Sequence, residues 1–574
     1  MKIALIKIQN YYDLEFQDAI TNFDKNKSIK IDYSNINTLE VINKKNKSYY
    51  DNFFPEIVKL LNKKHNINYS DEFWQLLIGP WLYKAIEFFH DKYYILKKIP
   101  NNIKIEFQRT YFRNHSFDEI YDLYINEEFV KHSIYSLNNS LGLNKKKIFV
   151  KNYNYENNIK LDQKTFHKNL AVYKNILKKK IRDLLNFFLL KKKYKKKILN
   201  INLPLNTSEL TNISDKYNNL YDIFINLVKV NNNPTKKKLL EIKIQNDFKD
   251  EFLNSLKVII NDWIPVEYNS EFFSNINYYK KYVKSINPEI ILVRGPHETS
   301  IKIRFLIALF KEYRKSKIIS FQEGGIGKYQ YQKNYEEIFL IGTDYFFKWS
   351  KFNSKKKVIN FYLTKTSWIK KFEILENDKI LIVLGSFRKI FFSYYEGHLP
   401  DYSYVQLDII EKLLNGNNIL ERSTVRFHND YKFNERKYLY GKFKKLNIST
   451  REQRDKFDYL LSEFSLKIFL SDYTANMQSM IINHPTIIIV DKKKLIHNKI
   501  YSKVYNELYK NNILFYSPIK LINFVNKNLS SYKKIMNWWH SKNVQQAKNL
   551  YISSLCATTL RIDKKLLNEI NKIK

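Results

Sequence analysis

The sequence predicts an α/β protein with two doubly wound domains that face each other. Short continuous apolar runs, such as those within Glu289–Val293 and Lys379–Leu384, are typical of strands buried on both faces of a parallel sheet. Helical patterns and polar or glycine-containing loops separate these runs. Strands that alternate with helices favour βαβ units, and two sets of them favour two such domains.

The N-terminal part of the chain is predicted to be helical. Apolar residues recur at three- and four-residue steps from Phe73 to Phe88, which is the spacing of a helix face. Gly79 and Pro80 interrupt this pattern, so either the helix kinks there or a new helix begins at Pro80. Helices with basic faces are expected to continue to about Lys197, as an insertion over about residues 70–200.

A strand–helix–strand unit follows near Pro288. The apolar run of Glu289–Val293 is followed by a helix whose apolar face extends to about Lys315. Lys317–Phe321 is the next apolar run. This order predicts a βαβ unit with two parallel strands.

A second set of strands begins near Asp378. Strands are predicted at residues 379–384, 423–428, 467–470 and 485–490, and a short helix at residues 476–483. The whole pattern divides the chain into an N-terminal α/β domain (residues 1–355), a Rossmann-like domain (residues 356–525) and C-terminal helices (residues 526–574) that pack across the domain seam.

The glycines are few, and their distribution is uneven. Only 11 occur in 574 residues, and three of them lie between Gly324 and Gly327. Glycine is needed where the backbone has positive φ or where another group approaches it closely. This glycine loop follows a predicted strand and contains Gln322, Gly324, Gly325 and Gly327. Open α/β sheets bind ligands at the carboxyl ends of such strands.

The net charge of +41 first suggests a nucleic-acid partner. The excess is mostly lysine, in a chain also rich in Asn, Ile, Tyr and Phe, which is the residue usage of an AT-rich genome. This composition argues against nucleic acid as the partner. A preference for anionic ligands or for an anionic membrane surface remains compatible with it.

The single cysteine, Cys556, excludes an intramolecular disulfide and a thiolate cluster for zinc. No apolar run approaches the roughly 18 residues of a membrane span. Residues 1–8 are too short for a signal peptide and are predicted to form a first strand. We therefore expect a cytoplasmic protein, with a peripheral position at the inner membrane compatible with its charge.

Five segments keep a fixed order along the chain: Phe73–Leu82, Gln322–Gly327, Tyr345–Trp349, Ser471–Thr486 and Trp538–Trp539. In this order they resemble a bacterial family of transferases found in O-antigen and surface-carbohydrate loci. The resemblance covers most of the chain. It implies a GT-B glycosyltransferase fold, with a nucleotide-activated donor bound on the C-terminal side of a cleft and the acceptor on the N-terminal side.

Two positions depart from the pattern of that family. Its glycine loop usually carries histidine where this chain has Glu323. Related GT-B enzymes often carry a glutamate that binds the donor ribose where this chain has Gln478. If these positions act as they do in the family, the catalytic group, its pKa or the specificity differs here.

Loops at the carboxyl ends of the second set of strands supply candidates for donor binding. Glycine N–H groups, a helix N-terminus and arginine can all hold phosphate. The candidates are Gly385, Ser386, Arg388, Arg426, His428, Ser471, Asp472 and Thr474, with Gln478 added by the resemblance. The alternative is structural, with Thr474 as a helix cap and Arg426 in a surface ion pair.

Glu323 and His297 are the candidate catalytic bases. Glu323 lies in the glycine loop, where burial would have to raise its pKa before it accepted a proton near neutral pH. His297 needs no such shift, and its neighbour Glu298 either orients the ring or is the base itself. The alternative for His297 is a loop histidine that bonds to backbone.

These observations and the resemblance together predict an enzyme that transfers a sugar from a nucleotide-activated donor to a glycan or lipid-linked precursor of a surface polysaccharide. No Asp-x-Asp follows a predicted strand, so we expect transfer without a metal or another cofactor. Two alternatives stay open. One is a polyol-phosphate transferase of the CDP-glycerol type, and the other is a non-catalytic basic scaffold that binds nucleic acid or anionic membrane.

Overall fold

The structure is a computed structural model. It describes residues 36–98, 243–285, 287–295, 301–322, 335–351, 357–363, 372–385, 402–416, 419–427, 435–449, 457–493, 497–559 and 561–573, with short pieces within 133–141, 198–203 and 324–329. The predicted first strand and most of the predicted helical insertion lie outside these residues.

Two parallel sheets organise the described part of the chain. The first has the order β1-β2-β3-β4-β5, formed by Ile198–Asn200, Ile290–Arg294, Lys317–Phe321, Tyr345–Lys348 and Val358–Asn360. The second has the order β11-β10-β9-β6-β7-β8, formed by Ile380–Val383 (β6), Ser423–Arg426 (β7), Asn447–Ile448 (β8), Leu466–Phe469 (β9), Thr486–Ile489 (β10) and Leu514–Phe515 (β11). The predicted α/β class with two parallel sheets is confirmed.

Helices cover both sheets and form the N-terminal elaboration. Those before the second sheet are Ile36–His65 (α1), Asp71–Leu77 (α2), Gly79–Lys98 (α3), Glu251–Trp263 (α4), Phe272–Ser285 (α5), Ile301–Arg314 (α6) and Tyr335–Phe339 (α7). Those that follow are Tyr402–Leu414 (α8), Ile419–Arg422 (α9), Glu435–Lys442 (α10), Phe457–Ser462 (α11), Thr474–Ile481 (α12), Ser502–Lys510 (α13), Pro518–Asn528 (α14), Tyr532–His540 (α15), Lys542–Leu555 (α16) and Ile562–Ile573 (α17).

The predicted elements agree with the structure in type and differ at some ends. The βαβ unit is β2-α6-β3, and its strands pair in parallel from Ile290↔Lys317 to Arg294↔Phe321. At Gly79 a new helix begins, so the break is between two helices and not a kink. The helix expected at residues 476–483 begins earlier, at Thr474. Strands β1, β4, β5, β8 and β11 are not among the predicted strands.

Each sheet is packed on both faces. One face of the first sheet, with Ile291 and Val293, joins the large core built from α1 to α6. Its other face is covered by α17, whose Ile562, Leu566 and Ile570 are at most 1% exposed. The last strand of this sheet, β5, lies just past residue 355, where the domain boundary is predicted.

The chain after residue 526 contacts both sheets. Trp539 of α15 is buried and donates its indole N–H to the Asn483 carbonyl beside the second sheet, at 2.9 Å. At the end of α16 the carbonyl of Ser554 accepts a backbone bond from Lys351, at 3.0 Å, which returns the chain to the first sheet. The C-terminal segment therefore contacts both halves of the molecule. Its helix α15 packs beside the second sheet, and α17 covers the first.

Candidate active site

The glycine loop lies directly after β3, at the carboxyl edge of the first sheet. Gln322 is buried, and its side chain links the loop to the residue that follows β4. Its side-chain oxygen accepts the Trp349 backbone N–H at 2.9 Å, and its amide nitrogen donates to the Gly324 carbonyl at 3.0 Å. Gly324 and Gly327 have φ of 69° and 83°, conformations that favour glycine.

Gly325 lies at one of the contacts between the two halves of the molecule. A Cβ atom built there would lie 2.9 Å from the Tyr473 carbonyl carbon and 3.0 Å from the Thr474 nitrogen. The Gly325 N–H donates to the Thr474 hydroxyl oxygen at 2.8 Å. The glycine loop of the first sheet therefore packs on the start of α12, which follows β9 of the second sheet.

This contact occurs at the point where the second sheet reverses its strand order. The chain runs outward through β6, β7 and β8, and then returns to β9 on the other side of β6. The loops after β6 and β9 border the crevice that such a reversal creates, which is the usual ligand site of open α/β sheets. Gly385 follows β6, and Ser471 follows β9. The N–H of Gly385 is already donated to the Gln406 side chain, at 2.8 Å.

Thr474 is not a helix cap. The residue before α12 is Tyr473, which makes no side-chain capping bond, and Thr474 is the first residue of the helix. Its hydroxyl is instead engaged by the glycine loop. Gln478, one turn later and half-buried, lies on the same face of α12 as Thr474 because residues four apart share a helix face.

Arg426 ends β7 at the same edge of the second sheet. Its guanidinium carbon lies 4.6 Å from the centre of the Phe457 ring. Its Nη1 atom is buried and has no hydrogen-bond partner among the residues described. Burial lowers the pKa of this side chain. Arg426 forms no ion pair with the part of the chain that the structure describes, so the alternative of a surface ion pair finds no support there.

Asp472 is enclosed in a cluster of buried polar side chains, and this group is called the Asp472 cluster. Its Oδ1 atom lies 2.7 Å from the Lys328 ammonium and accepts the Tyr551 hydroxyl at 2.5 Å. Its Oδ2 atom accepts the Tyr505 hydroxyl at 2.5 Å. Asn476 donates to Oδ1 at 2.8 Å. Because Asp472 is fully buried, its carboxylate is enclosed by these protein groups.

The Asp472 cluster joins three distant parts of the chain. Lys328 follows the glycine loop, Asp472 follows β9, and Tyr551 lies on α16. Burial is the largest single influence and would raise the pKa of Asp472. The charge of Lys328, the neighbouring His497 and the hydrogen bonds from Lys328 and Tyr505 together outweigh burial, so this pKa is lowered. Burial lowers the pKa of Lys328, against the pull of Asp472. We take the pair as ionised, since each charge has its counter-charge and several further hydrogen bonds.

His497 lies beside this cluster. Its ring stacks on Tyr505 with centroids 3.5 Å apart, and its Nε2 atom is 3.7 Å from the Asp472 carboxylate. Burial lowers the pKa of His497 to about 4, although Asp472 opposes the shift. The imidazole is therefore neutral at physiological pH.

Several predicted residues cannot be placed. His297, Glu298, Glu323, Ser386, Arg388 and His428 lie outside the described residues. The structure brings together Gln322, Gly324, Gly325, Asp472 and Thr474, and it places Arg426, Gly385 and Ser471 at the same sheet edge.

Sequence reasoning missed Lys328, His497, Tyr505 and Tyr551. Their contacts to Asp472 span between 25 and 144 positions, for example 33 for Tyr505 and 144 for Lys328. No local spacing connects residues so far apart. The only available signal was that Lys328 directly follows the glycine loop.

Two features are absent from the described residues. No group of three His, Cys, Asp or Glu side chains there could hold a metal ion. Among the helices that the structure describes, none combines the length and the apolar character needed to cross a membrane.

A model of the LIC12162 family transferases matches residues 7–570 of the chain. The sequence matches no curated protein. Among solved structures, TarM is similar with 11% identity and a TM-score of 0.32, over 53% of this chain and 58% of that one. The UDP-GlcNAc 2-epimerase of Methanocaldococcus jannaschii is similar with 12% identity and a TM-score of 0.32, over 53% of this chain and 81% of that one.

The wall teichoic acid polymerase TagF is also similar, with 10% identity and a TM-score of 0.27, over 52% of this chain and 84% of that one. This chain spans less than two thirds of the length of TarM. All three likenesses are partial and low in both sequence identity and TM-score.

Proposed function

Since the chain belongs to the LIC12162 family transferases, we propose that it transfers a glycosyl unit from a nucleotide-activated donor to a precursor of a surface glycan. The proposed reaction takes place where the glycine loop meets the start of α12. The observation that carries this proposal is the 2.8 Å bond from the Gly325 N–H to the Thr474 hydroxyl, since it brings the ligand-binding edges of two α/β sheets to one point.

The donor diphosphate is proposed to bind on the second sheet. Arg426 offers a buried Nη1 group that has no acceptor among the described residues, and a guanidinium holds phosphate oxygens in a fork. The first turn of α12 has no side-chain cap, so its N–H groups can stabilise the negative charge of a departing phosphate. Gly385, Ser386, Arg388, His428, Ser471 and Gln478 remain candidates for the same role.

Asp472 is proposed to act indirectly. Its carboxylate is fully buried and bonded to Lys328, Tyr505 and Tyr551. It therefore positions Thr474 and the glycine loop and does not itself contact the donor. Glu323, His297 and Glu298 remain the candidates for the base that accepts the proton of the acceptor hydroxyl.

The acceptor side is proposed to be the N-terminal half, with a glycan or lipid-linked acceptor of the O-antigen type. We propose a cytoplasmic enzyme that works at the inner face of a membrane, without a metal. The net charge of +41 supports an anionic surface or substrate, because a strongly basic protein attracts both.

A thermal-shift panel of CMP, CDP, UDP, GDP and their sugars tests the donor class. A nucleotide at about 100 times its Kd stabilises the folded state by about 2.7 kcal/mol, which is readily measured.

The Arg426→Gln variant should weaken diphosphate binding roughly tenfold, the cost of one charge-assisted bond. The exposed Arg561 provides the control, Arg561→Gln. A panel in which no nucleotide raises the melting temperature would contradict the proposal, and selective binding of CDP-glycerol would favour polyol-phosphate transfer instead.

The catalytic base is tested by alanine variants. Glu323→Ala, His297→Ala and Glu298→Ala should be compared for turnover and for nucleotide binding. The true base loses roughly 100-fold or more in kcat with donor binding unchanged. If all three variants turn over at the normal rate, none of these residues is the base.

A further inference from the structure

A surface of exposed lysines and apolar side chains borders the candidate site on the second sheet. We call it the basic rim and define it by Lys492, Lys493, Lys499, Ile500, Lys503 and Tyr509, all of them exposed. Ile500 is 50% exposed and Tyr509 is 44% exposed. Large apolar side chains this open to solvent, among lysines, are a signal for an interaction surface.

Part of the basic rim is linked by ring contacts, and the rest of it lies close along the chain. The ammonium group of Lys492 lies 5.5 Å from the centre of the Tyr516 ring, and that ring lies 5.4 Å from Tyr509. Lys503 and Tyr509 are both exposed residues of α13, which buries Val504, Tyr505 and Leu508. Lys499 and Ile500 belong to the short 3-10 helix that leads into α13.

The basic rim is tied to the glycine loop by backbone contacts. The Asn498 N–H donates to the Lys328 carbonyl at 2.7 Å. Tyr329 and His497 form an antiparallel bridge, with their rings 5.2 Å apart. Since Lys328 and Tyr329 directly follow the glycine loop, a surface that binds the basic rim is held next to the candidate site.

Among the described residues, few acidic groups lie near these lysines, and Glu507 is one turn from Lys503 on α13. Glu507 lies 3.1 Å from Lys510, which is outside the rim. Asp491 accepts the backbone N–H of Lys493 at 2.7 Å. The four lysines of the rim therefore leave it with a net positive charge.

We propose that the basic rim docks on an anionic phospholipid surface, with Ile500 and Tyr509 at the level of the headgroups. Lysine ammonium groups are attracted to anionic headgroups, and an amphipathic helix end with an exposed aliphatic and an aromatic side chain suits the interface. The rim contains no arginine, the residue that stacks on bases and grips a nucleic-acid backbone bidentately. The inference rests on the proposed function in one respect: it places a lipid-linked acceptor beside the glycine loop.

Co-sedimentation with vesicles tests the docking. The full chain should bind phosphatidylglycerol–phosphatidylcholine vesicles and not vesicles of phosphatidylcholine alone. The variant Lys492→Gln/Lys499→Gln/Lys503→Gln should bind the anionic vesicles roughly 100-fold more weakly, about fivefold per lysine. The matched control is Lys527→Gln/Lys533→Gln/Lys534→Gln, which removes the same charge from the exposed surface of α14 and α15 and should bind like the unchanged chain.

The variant Ile500→Ser tests the apolar part separately. It should weaken binding to anionic vesicles in high salt as well as in low salt, because it removes apolar contact and no charge. All these residues are exposed, so the melting temperatures of the variants should match that of the unchanged chain.

Three results would overturn the proposal. The unchanged chain could fail to bind anionic vesicles, the rim and control variants could bind them equally, or the rim variant could lose affinity for random duplex DNA and keep its affinity for vesicles. Nucleotide binding, measured on the same variants, keeps this test apart from the proposed function. Vesicle binding that depends on the rim supports the docking surface even if no nucleotide binds, and nucleotide binding without vesicle binding leaves only the transferase proposal standing.

Discussion

Gly325 occupies a position where one additional methyl group would meet the backbone of the opposite half of the molecule. The nearest atoms would be the carbonyl carbon of Tyr473 and the nitrogen of Thr474, at 2.9 and 3.0 Å. Neither atom is the flexible end of a side chain. Any larger residue must therefore push the glycine loop away from α12.

Gly325→Ala should lower the stability by about 1–3 kcal/mol, the usual range for overpacking, and should reduce glycosyl transfer more strongly than nucleotide binding. The matched control is Gly441→Ala, on α10, where a Cβ atom would meet nothing within 4 Å. Alanine there should be neutral or stabilising by up to about 1 kcal/mol, because it favours the helix. Urea denaturation of both variants checks this. Equal stability of the two would mean that the contact at Gly325 is looser than the structure indicates.

At the scale of elements, α17 covers one face of the first sheet although it lies more than 200 positions further along the chain than that sheet's strands. Its Leu566 packs with Ile290, Leu292 and Phe347 in one core cluster. The helix is amphipathic, with charged residues such as Lys564 and Lys565 on its exposed side. Without α17, the apolar face of the sheet would be open to water.

Leu566→Ala should destabilise the protein by about 2–5 kcal/mol, through lost burial and a cavity. Leu567, the next residue, is only partly buried, so Leu567→Ala should cost clearly less. Thermal denaturation of the two variants compares them directly. If both lose the same stability, α17 does not pack on the sheet in the described orientation.

At the scale of the whole molecule, the Asp472 cluster connects the glycine loop, the second sheet and α16. Burial of an ion pair has an unfavourable desolvation free energy. Removal of one partner destabilises the folded state more strongly, because it leaves the other charge buried without a counter-charge. The cluster therefore makes the relative position of the two halves depend on a few buried groups.

Asp472→Asn should lower the stability by about 3–5 kcal/mol, because Lys328 stays buried without its counter-charge. The double variant Lys328→Met/Asp472→Asn should recover part of this loss. The exposed pair Asp408–Lys412, at 2.6 Å, supplies the control, and Asp408→Asn should cost less than about 1 kcal/mol. Strictly additive losses in the double variant would show that the two side chains do not interact.

The stability should also depend on pH through His497. Burial lowers its pKa in the folded state to about 4, whereas an unfolded histidine has a pKa of about 6.5. Between these values the unfolded chain binds a proton that the folded chain does not. The contribution of His497 is therefore complete above about pH 6.5 and is lost as the pH falls towards 4, by up to about 3 kcal/mol.

His90, whose pKa burial also lowers to about 4, should add a similar slope. Burial also lowers the pKa of His65, so His497→Gln should remove part, and not all, of the decrease in stability between pH 6.5 and 4. The exposed His540 is the control, and His540→Gln should leave the decrease unchanged. Urea denaturation across this pH range measures it, and an unchanged slope in His497→Gln would contradict the burial of that ring.

Much of the fold could be predicted from the chain. The strands β2, β6 and β10 contain continuous apolar runs, which are typical of a sheet buried on both faces. The strands β3 and β9 are mostly apolar, with Ser320 and Lys467 inside them. The glycine loop was recognisable because glycine is so scarce here. The alternative role of Thr474 as a helix cap is wrong, because its hydroxyl accepts the Gly325 N–H instead. A hydroxyl at the start of a helix can bond to the helix or to a neighbouring loop, and only the fold determines which group is near.

The sequence by itself determined the α/β class, the two sets of parallel strands and the position of the glycine loop at a strand end. These follow from local patterns, since burial on both faces and positive φ each restrict the residues that a short segment can carry. Only the tertiary structure decided that Gly325 lies against Thr474, that Lys328 neutralises Asp472 and that α17 covers the first sheet. Each of these contacts joins segments well over a hundred positions apart. Packing and electrostatic interactions depend on distance in space, which the order of residues along the chain does not give.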